Sequence, residues 1–298
     1  GAALAYRGYV LGWEAVRRLP EPVAYAVFRV GADLAWRRRG PRVRQLERNL
    51  RRARPDASTA ELSALSRAGM RSYLRYWCDA FRLPDWDHGR VVSTVRVENE
   101  HLLRDALGAG RGVVAALMHM GNWDHAGAWA ALTGAPVVTV AERLRPERLY
   151  ARFLAYREGL GMEILPLTGQ EGITATLVDR LRSARLVPLL ADRDLRATGL
   201  EVVLLGEAAR LPAGPALLAL RTGAALHPVS IWYDPGPTRR LVIHFHDEVL
   251  APASGPTREK VTAMTQGVAD VFSAAIRAHP QDWHMLAPLW TADLDTDR

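Results

Sequence analysis

The spacing of hydrophobic residues changes along the chain, and in the first part it predicts helices. Four apolar residues recur at helical intervals near the N-terminus, namely Val23, Val27, Val30 and Leu34. This pattern predicts an amphipathic helix, which the Gly40-Pro41 pair ends. Residues 59–83 carry another helical pattern, and Pro84 follows it. We therefore expect helices over most of residues 1–90.

Further along, the pattern changes to short apolar or alternating runs, which predict β-strands. These runs lie at 92–97, 112–118, 136–140, 162–165, 186–191, 226–232 and 242–246, with the last expected at a sheet edge. Helical patterns lie at 146–160, 171–184, 213–222 and 257–278. Strands that alternate with helices predict an α/β fold with a central, mostly parallel sheet flanked by helices. We expect one domain over 1–298, with a helical layer at 1–90 and a catalytic α/β core at 91–298.

Composition narrows the class of protein. The chain has 298 residues, of which 49% are hydrophobic, and this is typical of a folded domain with a sizeable core. The single cysteine, Cys78, excludes an internal disulfide framework and a metal cluster built from several cysteines. Because Cys78 lies in an aromatic-rich helical stretch, we expect a buried packing residue rather than a nucleophile.

Arginine dominates the positive charge, and the formal net charge is +7. Nine arginines fall between Arg37 and Arg54, directly after the amphipathic helix. Because the guanidinium suits phosphate, this excess indicates an anionic partner such as nucleic acid, phospholipid headgroups or a phosphorylated cofactor. An apolar helical stripe followed by such a cluster is typical of a membrane-surface anchor, but two helices packed on the domain with solvated arginines give the same pattern. We find neither a membrane-spanning segment nor a secretory signal in the sequence.

The clearest chemical signal is the segment from His119 to Asp124, which follows the strand predicted at 112–118. Ligands of open α/β sheets bind at the carboxyl ends of the strands, and His119 is predicted to lie there. Gly121 suits a tight turn, and Asn122 suits a helix N-cap. We expect Asp124, in the first turn of the next helix, to contact the imidazole and fix its tautomer. The other ring nitrogen is then free to act as a general base.

A second group of charges follows the strand predicted at 186–191. Asp192, Arg193 and Asp194 come directly after this strand, which predicts that they lie at the same edge of the sheet as His119. Two roles are open for Asp192, support of His119 or binding of an acceptor hydroxyl. Arg193 suits a phosphate or a developing oxyanion, and we count Arg193 and Asp194 as substrate-binding candidates. A local ion pair on a loop is the alternative.

Two more arginines are candidates for substrate binding. Arg143 follows the strand predicted at 136–140, and Arg157 lies on the next predicted helix. A metal site is also open, because His125 follows Asp124. We expect none, since a strand-end histidine and two adjacent helix-start residues rarely converge on one ion.

Together these residues resemble a known family. The segment 119–124, with its histidine and aspartate, resembles the motif of the glycerolipid and lipid A acyltransferase superfamily, and the wider segment 117–124 resembles the branch that includes the late lipid A acyltransferases. The likeness is greatest to its lipid A branch and, within that branch, to the phosphatidylinositol mannoside acyltransferases. Six other segments share it: 76–77, 80–84, 141–144, 192–195, 211–216 and 282–286. The similarity covers nearly the whole chain and is therefore far more specific than the short motif alone.

The resemblance implies transfer of a long acyl chain, typically palmitoyl from palmitoyl-CoA, to the 6-hydroxyl of a mannose on a phosphatidylinositol mannoside. It also implies an N-terminal helical part that contacts an anionic membrane, which we place at the cytoplasmic face, with no permanently bound cofactor and no nucleic acid partner. His119 matches the motif base, Asp124 its aspartate and Arg157 the arginine of the following helix. Asp192 matches the acidic residue of a later motif, where we expect glutamate in the closest relatives.

The mechanism we expect is direct transfer, because no serine or cysteine is set up as an activated nucleophile. Within the same class, the alternative is another lipid acceptor, such as a lysophospholipid or a lipid A-like sugar. From other classes, the alternatives are a non-catalytic lipid-binding protein at the membrane and a metal-dependent hydrolase.

Overall fold

The computed structural model describes residues 12–141, 147–166, 172–194, 198–235 and 240–294. Its helices are α1 (Glu21–Arg37), α2 (Pro41–Ala53), α3 (Thr59–Arg82), α4 (His88–Ser93), α5 (Glu100–Gly108), α6 (Trp123–Leu132), α7 (Glu147–Gly159), α8 (Ile173–Arg182), α9 (Gly214–Thr222), α10 (Thr257–Ala278) and α11 (Thr291–Leu294). Its strands are β1 (Val95–Glu98), β2 (Val113–Leu117), β3 (Val138–Ala141), β4 (Glu163–Pro166), β5 (Leu186–Leu190), β6 (Leu200–Leu204), β7 (Glu207–Leu211), β8 (Ala225–Tyr233) and β9 (Leu241–Phe245).

The central sheet has five strands in the order β1-β9-β8-β2-β5. β2 pairs in parallel with both β5 and β8, β1 pairs in parallel with β9, and only the β8–β9 pair is antiparallel. β3 and β4 form a parallel pair beside β5, and β6 and β7 form an antiparallel hairpin. The predicted α/β fold with a mostly parallel sheet flanked by helices is confirmed.

Two strand predictions were wrong in part. β9 does not lie at an edge but between β1 and β8. The two histidines of the predicted run find partners within the sheet, since His244 Nδ1 donates to Glu98 Oε2 (2.7 Å) and the His246 ring, directly after β9, contacts the Ser230 hydroxyl. Their polar pattern therefore needs no solvent-facing edge. The run at 92–97 begins in α4, which Asp87 caps by accepting from the Arg90 N–H, and the strand starts only at Val95.

Hydrophobic side chains cover both faces of the sheet, as a parallel sheet requires. All five residues of β2 are buried. Val114 and Ala116 pack towards α8, α9 and α10, whereas Val113, Ala115 and Leu117 pack towards α5 and α6. The continuous apolar run of this strand thus reflects burial on both sides. The α5 helix and the β6–β7 hairpin were not predicted from the sequence.

The N-terminal helices are attached to the sheet through α3. A capping box between Ser58 and Glu61 starts this helix. Near its end, the buried Asp79 accepts hydrogen bonds from Tyr25 on α1 and from Tyr233 at the end of β8 (3.0 Å for the latter). Burial of the Cys78 side chain is confirmed.

The outer face of α1 carries exposed apolar side chains. Its four members are Val23, Val27, Val30 and Leu34, each 45–57% exposed. These residues make up the predicted amphipathic stripe, and about half of each remains exposed within the described part of the chain. No helix within the described part of the chain has the length and apolar character needed to span a membrane.

Candidate active site

His119 and Asp192 meet because of the register between two parallel strands. β2 pairs with β5 so that Leu117 lies opposite Leu190. The backbone continues for two residues beyond each of these positions, and the Ala191 N–H donates to the Leu117 carbonyl (2.8 Å). His119 and Asp192, 73 positions apart in sequence, therefore lie opposite each other at the carboxyl edge of the sheet.

The Asp192 carboxylate holds the imidazole of His119 in one orientation. His119 Nδ1 donates to Asp192 Oδ1 (2.6 Å), and the backbone N–H of His119 donates to Oδ2 (2.9 Å). A proton on Nδ1 leaves the lone pair of Nε2 free in the neutral ring. The Asp192 side chain is fully buried, while the His119 side chain is 28% exposed. The imidazole of His119 is thus accessible to ligands, whereas the carboxylate of Asp192 is shielded from water.

The two groups shift each other's pKa in opposite directions. Burial lowers the pKa of His119, but the charge and hydrogen bond of Asp192 outweigh it, so this pKa lies above the ordinary histidine value. Burial raises the pKa of Asp192, but His119 and the hydrogen bonds to the carboxylate hold it below the ordinary aspartate value. The carboxylate therefore stays ionised beside a ring of increased basicity.

The expected contact between Asp124 and the imidazole was wrong. Asp124 Oδ1 accepts from Arg157 Nε (2.9 Å) and Nη2 (2.6 Å), and Oδ2 accepts from the Tyr76 hydroxyl (3.0 Å). Asp124 lies in the first turn of α6, and its two oxygens serve α7 and α3 rather than His119. Of the two roles open for Asp192, this geometry favours support of His119, because Asp192 contacts that ring.

The turn between β2 and α6 was correctly predicted in its local chemistry. Gly121 has a positive φ of 59°, and a Cβ there would lie 2.5 Å from the Ile231 carbonyl oxygen, so no larger residue fits. Asn122 caps α6 by accepting from the His125 N–H (2.9 Å). Trp123 then stacks on Tyr76 and meets the His119 ring edge-on, with ring centroids 5.5 Å apart. This aromatic contact supports the imidazole from one side.

The predicted substrate-binding residues differ in position. Arg193 is exposed and close enough to His119 for its charge to lower the pKa of that ring. Asp194 Oδ2 accepts a hydrogen bond from the Gly199 N–H (2.6 Å), so at least one of its oxygens binds the backbone five residues further along the chain. Arg157 binds Asp124 and is 21% exposed at its side chain. Arg143 lies outside the described residues.

A strand-like segment that pairs with residues 119–121 was not predicted from the sequence. The Gly121 N–H donates to the Asp282 carbonyl (2.9 Å), and the His284 N–H donates to the His119 carbonyl (2.7 Å). Between them, Trp283 Nε1 donates to Asp192 Oδ2 (3.1 Å). The segment 282–286 was noted for its likeness to the family, but nothing in its spacing indicated that it pairs with residues 119–121.

The two side chains that flank Trp283 face α3. The Ser72 hydroxyl on α3 bonds to Asp282 and to His284 Nε2 (2.9 Å). Burial lowers the pKa of His284 to about 3, so this ring is neutral at ordinary pH. In the described ranges, no group of three or more histidine, cysteine, aspartate or glutamate side chains is arranged to hold a metal ion.

The comparison with known proteins identifies the family. The family model for bacterial lipid A biosynthesis acyltransferases matches residues 4–292. A phosphatidylinositol mannoside acyltransferase from Mycolicibacterium smegmatis is 47% identical, over 100% of this chain and 95% of its own. Two proteins of the same name from Mycobacterium tuberculosis strains are 45% identical, over 97% of this chain and 90% of theirs. The chain therefore belongs to the bacterial lipid A biosynthesis acyltransferase family and is an O-acyltransferase.

Proposed function

We propose that this enzyme transfers a long-chain acyl group, palmitoyl, from acyl-CoA to the 6-hydroxyl of a mannose on a phosphatidylinositol mannoside. The observation that carries the proposal is the His119–Asp192 pair, in which Nδ1 is bound to a buried carboxylate and Nε2 has no hydrogen-bond partner among the described residues. The choice of acceptor is supported by the names of the relatives, whose sequences match this chain over nearly their whole length.

In the proposed reaction, His119 Nε2 takes the proton of the mannose hydroxyl. The oxygen attacks the thioester carbonyl carbon, so a C–O bond forms as the O–H bond breaks. The tetrahedral intermediate then collapses, the C–S bond breaks, and the proton passes from His119 to the departing thiolate of CoA. Asp192 stabilises the imidazolium between the two proton transfers, because its charge lies 2.6 Å from Nδ1.

Direct attack needs no acyl-enzyme intermediate, and Cys78 is unsuited to forming one. Its side chain is completely buried, and burial raises the pKa of the thiol to about 12. The thiolate that a covalent mechanism requires would therefore be scarce at neutral pH. This supports the single-displacement route.

The remaining candidates take supporting roles in the proposal. We assign Arg193, which is exposed beside His119, to an anionic part of the substrates or to the oxyanion. Arg143 and Asp194 remain substrate-binding predictions. We assign Asp124 and Arg157 a joint role, in which their ion pair links α6 to α7 behind the catalytic turn and so acts on the reaction indirectly.

We further propose that the enzyme works as a peripheral protein on the cytoplasmic face of an anionic membrane, where acyl-CoA and lipid acceptor meet. Two surfaces support this. One is the exposed stripe of α1. The other is a cleft of about 510 Å³ lined by Arg39, Arg44, Arg48, Arg51, Arg52, Glu47, Glu207 and Leu62. Exposed apolar side chains suit the acyl-chain side of the membrane boundary, and arginines suit its anionic headgroups.

The decisive experiment offers the purified enzyme labelled palmitoyl-CoA with three acceptors in parallel, a phosphatidylinositol mannoside, a lysophospholipid and a lipid A-like sugar. We expect label on the mannoside, on the mannose 6-hydroxyl, and almost none with H119A, whose fold should be intact. Transfer to another acceptor alone would refute the substrate, and full activity of H119A would refute the mechanism. A further arm adds a chelator to test the alternative of a metal-dependent hydrolase. The chelator should inhibit such a hydrolase but leave the proposed acyl transfer unchanged.

A further inference from the structure

A fully buried tryptophan contacts the catalytic pair from the side opposite the substrate-facing nitrogen. Trp283 lies on the segment that pairs with residues 119–121, forming an antiparallel bridge with Met120. Successive side chains of a strand point to opposite sides. Asp282 and His284 accordingly contact Ser72 on α3, while Trp283 contacts Asp192 on the other side. The pairing of this segment thus carries an indole to the base of the active site.

The Asp192 carboxylate receives three hydrogen bonds, and they divide between its oxygens. Oδ1 accepts from the His119 ring, while Oδ2 accepts from the His119 backbone (2.9 Å) and from Trp283 Nε1 (3.1 Å). An ionised carboxylate in a dry interior requires donors, because water no longer solvates it. An indole N–H is a pure donor that neither accepts nor loses a proton under ordinary conditions. It can therefore stabilise the anion without competing for the His119 proton.

We propose that Trp283 is a positioning residue for the reaction proposed above, acting on His119 through Asp192. Its N–H fixes Oδ2, so that Oδ1 points at His119 Nδ1, and it withdraws negative charge from the carboxylate. The basicity of His119 is set in this way by a residue that never touches the substrate.

The alternative is that Trp283 only fills the core, and the chain contains a matched control for that role. Trp290 is equally buried, with no exposed surface. Its Nε1 also donates a hydrogen bond of 3.1 Å, but to the Leu204 carbonyl. The two rings meet edge-on with centroids 6.1 Å apart. Replacement of either tryptophan by phenylalanine removes one indole N–H and a similar buried volume. Only the replacement at 283 takes a donor from Asp192.

The test is an NMR titration of the His119 ring in the wild type, W283F and W290F, with H119Q used to assign its Cε1–H signal. In W283F the His119 backbone N–H still holds the carboxylate, which has lost one donor and attracts the ring proton more strongly. We expect the His119 midpoint to rise by roughly half to one pH unit, because one hydrogen bond to a charged group corresponds to roughly one to two pH units and only part of this effect passes from the carboxylate to the ring. W290F should leave the midpoint at the wild-type value.

Kinetics supply a second measurement. W283F should lower kcat roughly tenfold with KM unchanged, because the lost bond acts on the base and not on substrate binding. The proposal is overturned if the His119 midpoint of W283F stays at or below the wild-type value. It is also overturned if the midpoint of W290F rises as much as that of W283F. If W283F does not fold, 3-benzothienylalanine at position 283 replaces only the N–H by sulfur and gives the same test. The titration needs no acyl transfer, so its outcome is separate from failure of the proposed function.

Discussion

The guanidinium of Arg157 holds the carboxylate of Asp124 through two hydrogen bonds, from Nε and Nη2 to the same oxygen. Asp124, the aspartate of the sequence motif, therefore binds a side chain of the neighbouring helix α7. Asp192, from a different strand, is the carboxylate that touches the motif histidine. The two acids should therefore respond differently to the loss of their charge.

Replacement of Asp192 by asparagine should abolish most of the activity through the tautomer of His119. Two N–H groups point at the Oδ2 position, from the His119 backbone and from Trp283. The amide oxygen must take that position, so the NH2 group faces His119 Nδ1 and forces the ring proton onto Nε2. We expect D192N to lower kcat by roughly 10²–10⁴ with KM little changed. Steady-state kinetics at saturating acyl-CoA measure this, and a loss below fivefold would contradict it.

Replacement of Asp124 by asparagine should weaken the fold more than the base. It removes the negative charge that receives two hydrogen bonds from the partly buried Arg157, whose side chain is 21% exposed. Removing one partner of such a pair costs on the order of 3 kcal/mol of unfolding free energy. Urea unfolding of D124N measures that loss. The pH midpoint of the remaining activity should match the wild type, because Asp124 does not contact the ring, and a shifted midpoint would mean that it does.

The pH dependence of the wild-type enzyme should follow the protonation of His119. In the proposed mechanism the active form has a neutral imidazole, so kcat/KM should rise with pH as the imidazolium loses its proton. Asp192 raises the pKa of this ring above the ordinary value of 6.5, so the midpoint should lie above pH 6.5. Rates measured from pH 5 to 9 test this. A midpoint below 6.5 would show that burial, which lowers this pKa, outweighs the carboxylate.

The sequence predicted the fold well where the signal is local and less well where it depends on pairing. The buried run of β2 and the cap at Asn122 depend on neighbouring residues only, and both were found. The partner of His119 depends on the register between β2 and β5, which no spacing along the chain reveals. Asp124, only five positions away, therefore looked like the partner, although Asp192 holds the ring.

The same limit explains the misplaced edge strand and the missed indole. The alternation of β9 indicates that its two faces differ in polarity, but His244 meets Glu98 across a neighbouring strand rather than solvent. Trp283 reaches Asp192 because a segment near the C-terminus pairs with the turn after β2. Both depend on contacts between distant parts of the chain.

The exposed stripe of α1 should be required for membrane binding. Val27 is 54% exposed, and burial of a valine side chain in the membrane interface contributes roughly 1.5 kcal/mol. V27D loses this contribution and adds a charge repelled by anionic lipid, so binding to vesicles that contain phosphatidylinositol should fall at least tenfold in a sedimentation assay. V203D is the matched control, since Val203 on β6 is also 54% exposed. Equal binding by the two variants would exclude the stripe as the contact surface.

Acid should destabilise the protein partly through His125, which is buried and neutral in the folded state. Burial lowers its pKa to about 4, and its Nε2–H donates to the Val91 carbonyl (2.9 Å). The unfolded chain binds this proton near pH 6.5, so between pH 6.5 and 4 the unfolded state takes up more protons and folding stability falls as the pH falls. The shift corresponds to at most about 3 kcal/mol. H125Q keeps a donor for Val91 but cannot titrate, so its unfolding free energy in urea should fall less steeply between pH 7 and 4.5. Parallel curves for the variant and the wild type would mean that His125 does not contribute to acid sensitivity.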